Sequence, residues 1–198
     1  MRRPSVRTLP AFLGLVPALA LTPARVALDV QPESRIWISG TSTVRSFECS
    51  ATSFDSHIQS LPGAVTATLA GEKAVTAVAI TVPAEKLDCK NGTMNEHMLK
   101  ALNAKANPNI VFKLASYDLA KVDGAMQVTL AGQLTLGGVE KPVTIVANAK
   151  EGAAGTLRVS GTHEVRMKEW GLKPPSLMMG TMKVNERIKV SFDLLLKD

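Results

Sequence analysis

Three histidines, two cysteines and a group of methionines are the residues of this 198-residue chain whose chemistry goes beyond packing. His57, His97 and His163 stand far apart, and none sits at a spacing that would bring a second imidazole or a thiolate onto one metal ion. Glu85, Asp88 and Glu96 show no pairing suited to general acid and base work. A nucleophile elbow, a phosphate loop and a dinucleotide fingerprint are all missing from the sequence. The reading is therefore of a chain without catalytic residues, metal site or cofactor, and not of an enzyme. His97, beside Glu96, reads as a surface or end-packing residue of a predicted helix. Met178, Met179 and Met182 form either a flexible apolar gate or a set of gap-filling side chains, and a copper site would need more methionine and histidine than this.

The cysteines take their meaning from the first twenty residues. Arg2, Arg3 and Arg7 precede an apolar run over 9–19, and Ala18-Leu19-Ala20 is a small-x-small cleavage site, which together make an export signal over 1–20. The run is shorter than the roughly 20 apolar residues that span a bilayer, and Pro10 and Pro17 interrupt it. No later stretch is long enough to span, so residues 21–198 read as one domain without a transmembrane segment, destined for the periplasm or secretion. In an oxidising compartment Cys49 and Cys89 are expected to pair, and closing a loop of that length stabilises by up to roughly 4 kcal/mol. Two free buried thiols are the alternative.

With 45% apolar and 20% charged residues the chain has the composition of one globular domain. Its formal charge of +6 falls to +3 without Arg2, Arg3 and Arg7. The lysines are scattered, and a single tyrosine offers little stacking surface, so nucleic acid is not an expected partner. Nothing in the sequence sets an oligomeric state.

Period-two alternation organises the rest. Met126, Val128, Leu130, Leu134 and Leu136 share one strand face, with Gln127, Thr129, Gln133 and Thr135 on the other. Ile188, Val190, Phe192, Leu194 and Leu196 repeat the pattern, Leu195 being the exception. Weaker alternation predicts strands over 36–41, 44–53, 65–70, 75–82, 110–117, 143–149 and 157–165. Pro62-Gly63, Asp123-Gly124, Gly137-Gly138 and the glycines at 152 and 155 mark turns. Such spacing predicts a mainly β protein, an antiparallel meander of about eight or nine strands closed or nearly closed into a barrel. One short helix is expected, opened by the capping box Thr93-Met94-Asn95-Glu96, with Met94, Met98, Leu99 and Leu102 on one stripe and an end near Asn107-Pro108. It should lie across a barrel end. The stretch 168–180, with Trp170 and two prolines, reads as a loop at the mouth.

An eight-stranded barrel either fills its interior with large side chains or holds one small ligand. Five phenylalanines and two tryptophans must serve the whole chain, and many inward positions are Val, Ala, Thr or Gly, which points to a cavity. A packed core of Leu, Ile, Val and Met remains equally compatible with alternation. His163 is in phase with Leu157, Val159 and Val165 and so points inward, either toward a polar ligand group or to a backbone or water partner.

Several segments together resemble the YceI-like family of secreted, lipocalin-like barrels described as polyisoprenoid-binding. They are Gly40-Thr41-Ser42-Thr43-Val44-Arg45-Ser46-Phe47, the helix Met94-Asn95-Glu96-His97-Met98-Leu99-Lys100 leading to Asn107-Pro108-Asn109-Ile110, the element Gly137-Gly138-Val139-Glu140-Lys141-Pro142-Val143, and Glu169-Trp170-Gly171-Leu172. The resemblance implies an extended barrel whose apolar interior takes a long isoprenoid or acyl chain. The chain departs from the family pattern in its short N-terminal region, in Met167 where many members carry arginine, and in the Cys49 and Cys89 pair.

The resulting expectation is a binding or carrier protein for a hydrophobic small molecule. Val128, Leu130, Leu134, Val143, Ile145, Val190, Phe192 and Leu194 are the expected lining, with His163 inward and Trp170, Met178 and Met179 at the mouth. The competing expectation is an envelope structural or interaction protein with a packed barrel and no ligand.

Overall fold

The computed structural model describes residues 24–177 and 181–198. The export signal expected over 1–20 and the pair Met178 and Met179 lie outside the described residues. Alternating burial dictates the fold: along Ala125–Leu136 and Met182–Lys197 the even-numbered apolar residues turn inward and the polar ones outward. These two are the ninth and thirteenth strands, β9 and β13, of one antiparallel sheet.

The other long strands are β3 (Arg35–Ser42), β6 (Val75–Pro83), β8 (Asn109–Val122), β10 (Val139–Glu151) and β11 (Leu157–Arg166). Shorter ones are β1 (Val26–Ala27), β2 (Asp29–Val30), β4 (Ser46–Ala51), β5 (Asp55–Ser60), β7 (Leu87–Asp88) and β12 (Ser176–Leu177). Neighbours run β1-β5-β6-β8-β9-β10-β11-β13-β3-β4-β7, so the sheet curls as an up-and-down meander. The segment from Val26 to Val30 joins its two sides. Val26 and Ala27 pair with Ser60 and Gln59 of β5, while Asp29 and Val30 pair with Lys197 and Leu196 of β13. The buried Leu28 between them donates its N–H to Ile58 O at 3.0 Å.

The barrel is as expected, but the strand segments outnumber the eight or nine expected. Long passes of chain are broken where pairing lapses, for example at 52–54 between β4 and β5 and at the 3-10 turn Ala84–Lys86 between β6 and β7. The hairpins at Asp123-Gly124 and Gly137-Gly138 hold both central residues at positive φ, the mirror-image turn that suits a twisted two-strand ribbon. A Cβ on Gly138 would stand 2.4 Å from the Asn107 side chain, so glycine is also required there for space.

Residues 65–70, expected as a strand, belong to a helix, α1 (Ala64–Ala70). Gly63 and Gly71 flank it in the left-handed region, and its buried residues Ala64, Val65 and Thr68 follow helical spacing. The second helix, α2 (Gly92–Ala101), starts earlier and ends earlier than expected. Its cap is Asn91, whose side chain accepts the Met94 N–H at 2.9 Å, in place of the box opened by Thr93. Asn95 is occupied otherwise: its Oδ1 accepts the Cys89 N–H at 2.8 Å and its Nδ2 donates to Asp88 Oδ1 at 2.9 Å. That amide, with the Lys90 N–H, holds the Asp88 carboxyl below its ordinary pKa. The expected disulfide between Cys49 and Cys89 is present and ties β4 to the residues that lead into α2.

A carbon-lined cavity in the barrel as candidate functional site

Inward positions of the barrel wall surround an internal cavity of about 180 Å³. Val128, Leu130 and Leu134 of β9 line it, with Ile145 of β10 and Val190, Phe192 and Leu194 of β13. Leu157, Val159 and His163 of β11 complete that half. These are the rows that strict alternation singles out. Val143 is buried in the wall at 7% exposure and is not among the residues lining this cavity.

The opposite half comes from β6 and β8, expected as strands over 75–82 and 110–117 but not as cavity lining. Val78, Ile80 and Val82 of β6 face it, as do Phe112, Leu114 and Tyr117 of β8. A bulge between Leu114 and Ser116 switches the inward phase of β8 from even to odd numbers, which brings Tyr117 and Leu119 inside. Thr68 of α1 lines the cavity too, so this helix closes one end of the barrel interior. Gly161 makes room within the wall: the Phe192 ring lies across it, 2.8 Å from where a Cβ would stand.

The cavity surface is carbon almost throughout. His163 is half-buried in its wall, and desolvation lowers its pKa against the opposing pull of Glu164. The imidazole is therefore neutral at neutral pH. Tyr117 uses its hydroxyl locally, accepting the Val75 N–H at 3.0 Å.

A second cavity of about 330 Å³ continues the same rows toward the other end. Ile38 follows Ile36 on β3, and Ile188 follows Val190 on β13. Met94, Met98 and Ala101 of α2 line this space, and so do both cysteines of the disulfide. Polar side chains enter here: Arg45, Asn91, Thr93 and His97. His97, Ala101 and Pro175 also border an outer groove of about 600 Å³ that includes Lys100, Asn103, Trp170 and Lys173. Trp170 thus stands by this groove and not on the internal cavity. Its indole is 4% exposed, donates to Leu134 O at 3.5 Å, and carries Lys141 5.7 Å from the ring centre.

A family model for the YceI-like domain matches residues 31–196, nearly the whole described barrel. The chain belongs to the YceI-like family. No curated protein sequence matches it. Among solved structures this YceI-like chain is similar to Burkholderia cenocepacia BcnA, with a TM-score of 0.67 at 18% identity over 84% of this chain and 99% of that one. It is also similar to a polyisoprenoid binding domain from Saccharophagus degradans implicated in plant cell wall breakdown, with a TM-score of 0.60 at 11% identity over 89% and 99% of the two chains. A Campylobacter jejuni YCEI protein gives 0.56 at 15% identity over 80% and 85%. At such identities the likeness is one of fold. Among the described residues no helix is long and apolar enough to cross a membrane.

Proposed function

We propose that this YceI-like protein is an exported, non-enzymatic carrier that holds a long isoprenoid or acyl chain inside its barrel. The observation that carries the reading is the internal cavity with its carbon surface, walled by Val128, Leu130, Leu134, Ile145, Phe192 and Leu194. Burying each methylene contributes on the order of 0.8 kcal/mol, so a long chain binds tightly there without polar recognition. A chain that threads both cavities would run from Thr68 to the underside of α2. The Saccharophagus degradans relative, described as polyisoprenoid binding, supports the ligand class. The signal pattern over 1–20 supports delivery of one domain, 21–198, to the periplasm or the medium.

Native mass spectrometry of the protein purified from its own host, followed by solvent extraction, tests this. The expected result is one isoprenoid or acyl lipid per barrel. A barrel that is empty and also refuses added polyprenyl lipids would overturn the carrier reading in favour of a structural or interaction module of the envelope.

A further inference from the structure

Polarity is distributed unevenly along the barrel axis. The cavity at the α1 end exposes essentially only carbon, so an uncompensated polar or charged ligand group lodged there would lose its hydration without gaining a partner. Polar side chains gather instead at the α2 end, and their charge has one sign. Arg45 and His97 line the second cavity; His97 lines the outer groove as well, together with Lys100 and Lys173. No Asp or Glu among the described residues lines any of these three spaces. Some exposed bases elsewhere on the barrel have carboxylate partners, as in Arg158 with Asp193, Lys73 with Asp118 and Lys168 with Glu186, and others, Lys113 and Lys121 among them, have none among the described residues. Among the described residues Arg45, Lys100 and Lys173 enter no ion pair.

We infer that the ligand is an amphiphile with an anionic oxyanion head, a phosphate monoester or a carboxylate, which inserts tail first toward α1 and leaves its head among Arg45, His97, Lys100 and Lys173. The inference rests on the carrier reading and adds to it an orientation and a head-group class. Lysine ammonium groups donate charge-assisted hydrogen bonds to such a head at the solvent boundary, where its remaining oxygens stay hydrated. An uncharged alcohol of the same chain length keeps the tail contacts and forgoes these.

The test compares three probes of one chain length, hexadecyl phosphate, palmitate and hexadecanol, each displacing an apolar fluorescent dye from the delipidated protein below its aggregation concentration. Both anions are expected to bind about tenfold more tightly than the alcohol at low salt, with the advantage shrinking as salt is added. In Lys100→Gln/Lys173→Gln, which leaves Arg45 in place, the advantage should shrink several-fold while alcohol affinity stays as in the wild type. A charge-matched variant on exposed β8 positions, Lys113→Gln/Lys121→Gln, should keep it. Equal affinity for alcohol and anions, or an advantage undiminished in the Lys100 and Lys173 variant, overturns the inference and leaves the carrier reading standing. Failure of all three probes to displace the dye overturns both. A gain for the phosphate alone narrows the head group to a phosphate monoester, and one for palmitate alone to a carboxylate.

Discussion

The Asp198 carboxylate accepts the backbone N–H of Ala64 at 3.0 Å, joining the residue after β13 to the first turn of α1. Its second oxygen accepts the Val65 N–H at 3.3 Å. Ala64 is fully buried, and α1 has no side-chain cap of its own. The helix that closes the cavity at this end is therefore held by a residue 134 positions further along the chain.

Asp198→Ala should accordingly destabilise by about 1 kcal/mol, the usual cost of losing a helix cap. Amide exchange in 64–70 should rise more than elsewhere, and Asp198→Asn, which keeps an acceptor, should fall between. Hydrogen exchange with mass readout checks both.

Breaking the disulfide acts at the other end. Cys49→Ser/Cys89→Ser should lower stability by about 2–4 kcal/mol, and the exchange it releases should concentrate in 89–101, because the bridge fixes the approach to α2. A thermal melt with and without reductant, compared with the double variant, checks this.

A charge inside the wall should empty the barrel. Leu130 lines the carbon surface, so Leu130→Arg should abolish retention of a bound lipid in protein that is still secreted and folded by circular dichroism. Gly161→Leu, which drives the Phe192 ring off its place on the wall, should reduce the lipid load without adding charge. Lipid extracted per mole of protein is the measurement.

His163 makes stability depend on pH. Its folded pKa lies below the ordinary 6.5, because burial disfavours the charged ring. Above 6.5 both states hold the neutral imidazole and the fold carries no penalty. As the pH drops from there toward the lowered folded value, the unfolded chain binds the proton first and stability falls. Urea unfolding of wild type and His163→Leu at pH 7.5 and 5.5 isolates the effect: the wild type should lose more stability over that interval. A bound hydrocarbon deepens the desolvation, so ligand release should also be favoured on the acid side.

The rows legible in the sequence are those whose burial obeys strict alternation, β9 and β13, together with the paired-glycine hairpin next to β9. The rest is hidden for separate physical reasons. In 65–70 the residues Val-Thr-Ala-Thr-Leu-Ala satisfy period two, and only the flanking Gly63 and Gly71 signal a helix. β5 reads Asp-Ser-His-Ile-Gln-Ser, and its inward-facing Ser60 is as fully buried as any aliphatic residue, so polarity conceals its face. On β8 the bulge at Ala115 reverses phase midway, and no local composition marks it. Loop context alone puts Trp170 at the mouth, whereas the indole turns inward onto the Leu134 carbonyl. The disulfide is legible because two cysteines in a chain read as exported leave few alternatives.

The bridging segment from Val26 to Val30 sets an order of events in folding. Val30 pairs with Leu196, so one seam of the cylinder joins residues almost a full chain length apart. Hairpins such as β8-β9 and β9-β10 are local and form early, whereas this seam bears the largest loop-closure entropy of any pairing in the molecule. Until it zips, β5 presents an unpaired strand edge to solvent and Leu196 and Lys197 of β13 lack their partner on the β3 side, and an open edge is a template for self-association. The closing step therefore waits for the last strand, and no shorter stretch of the chain holds both partners of the seam.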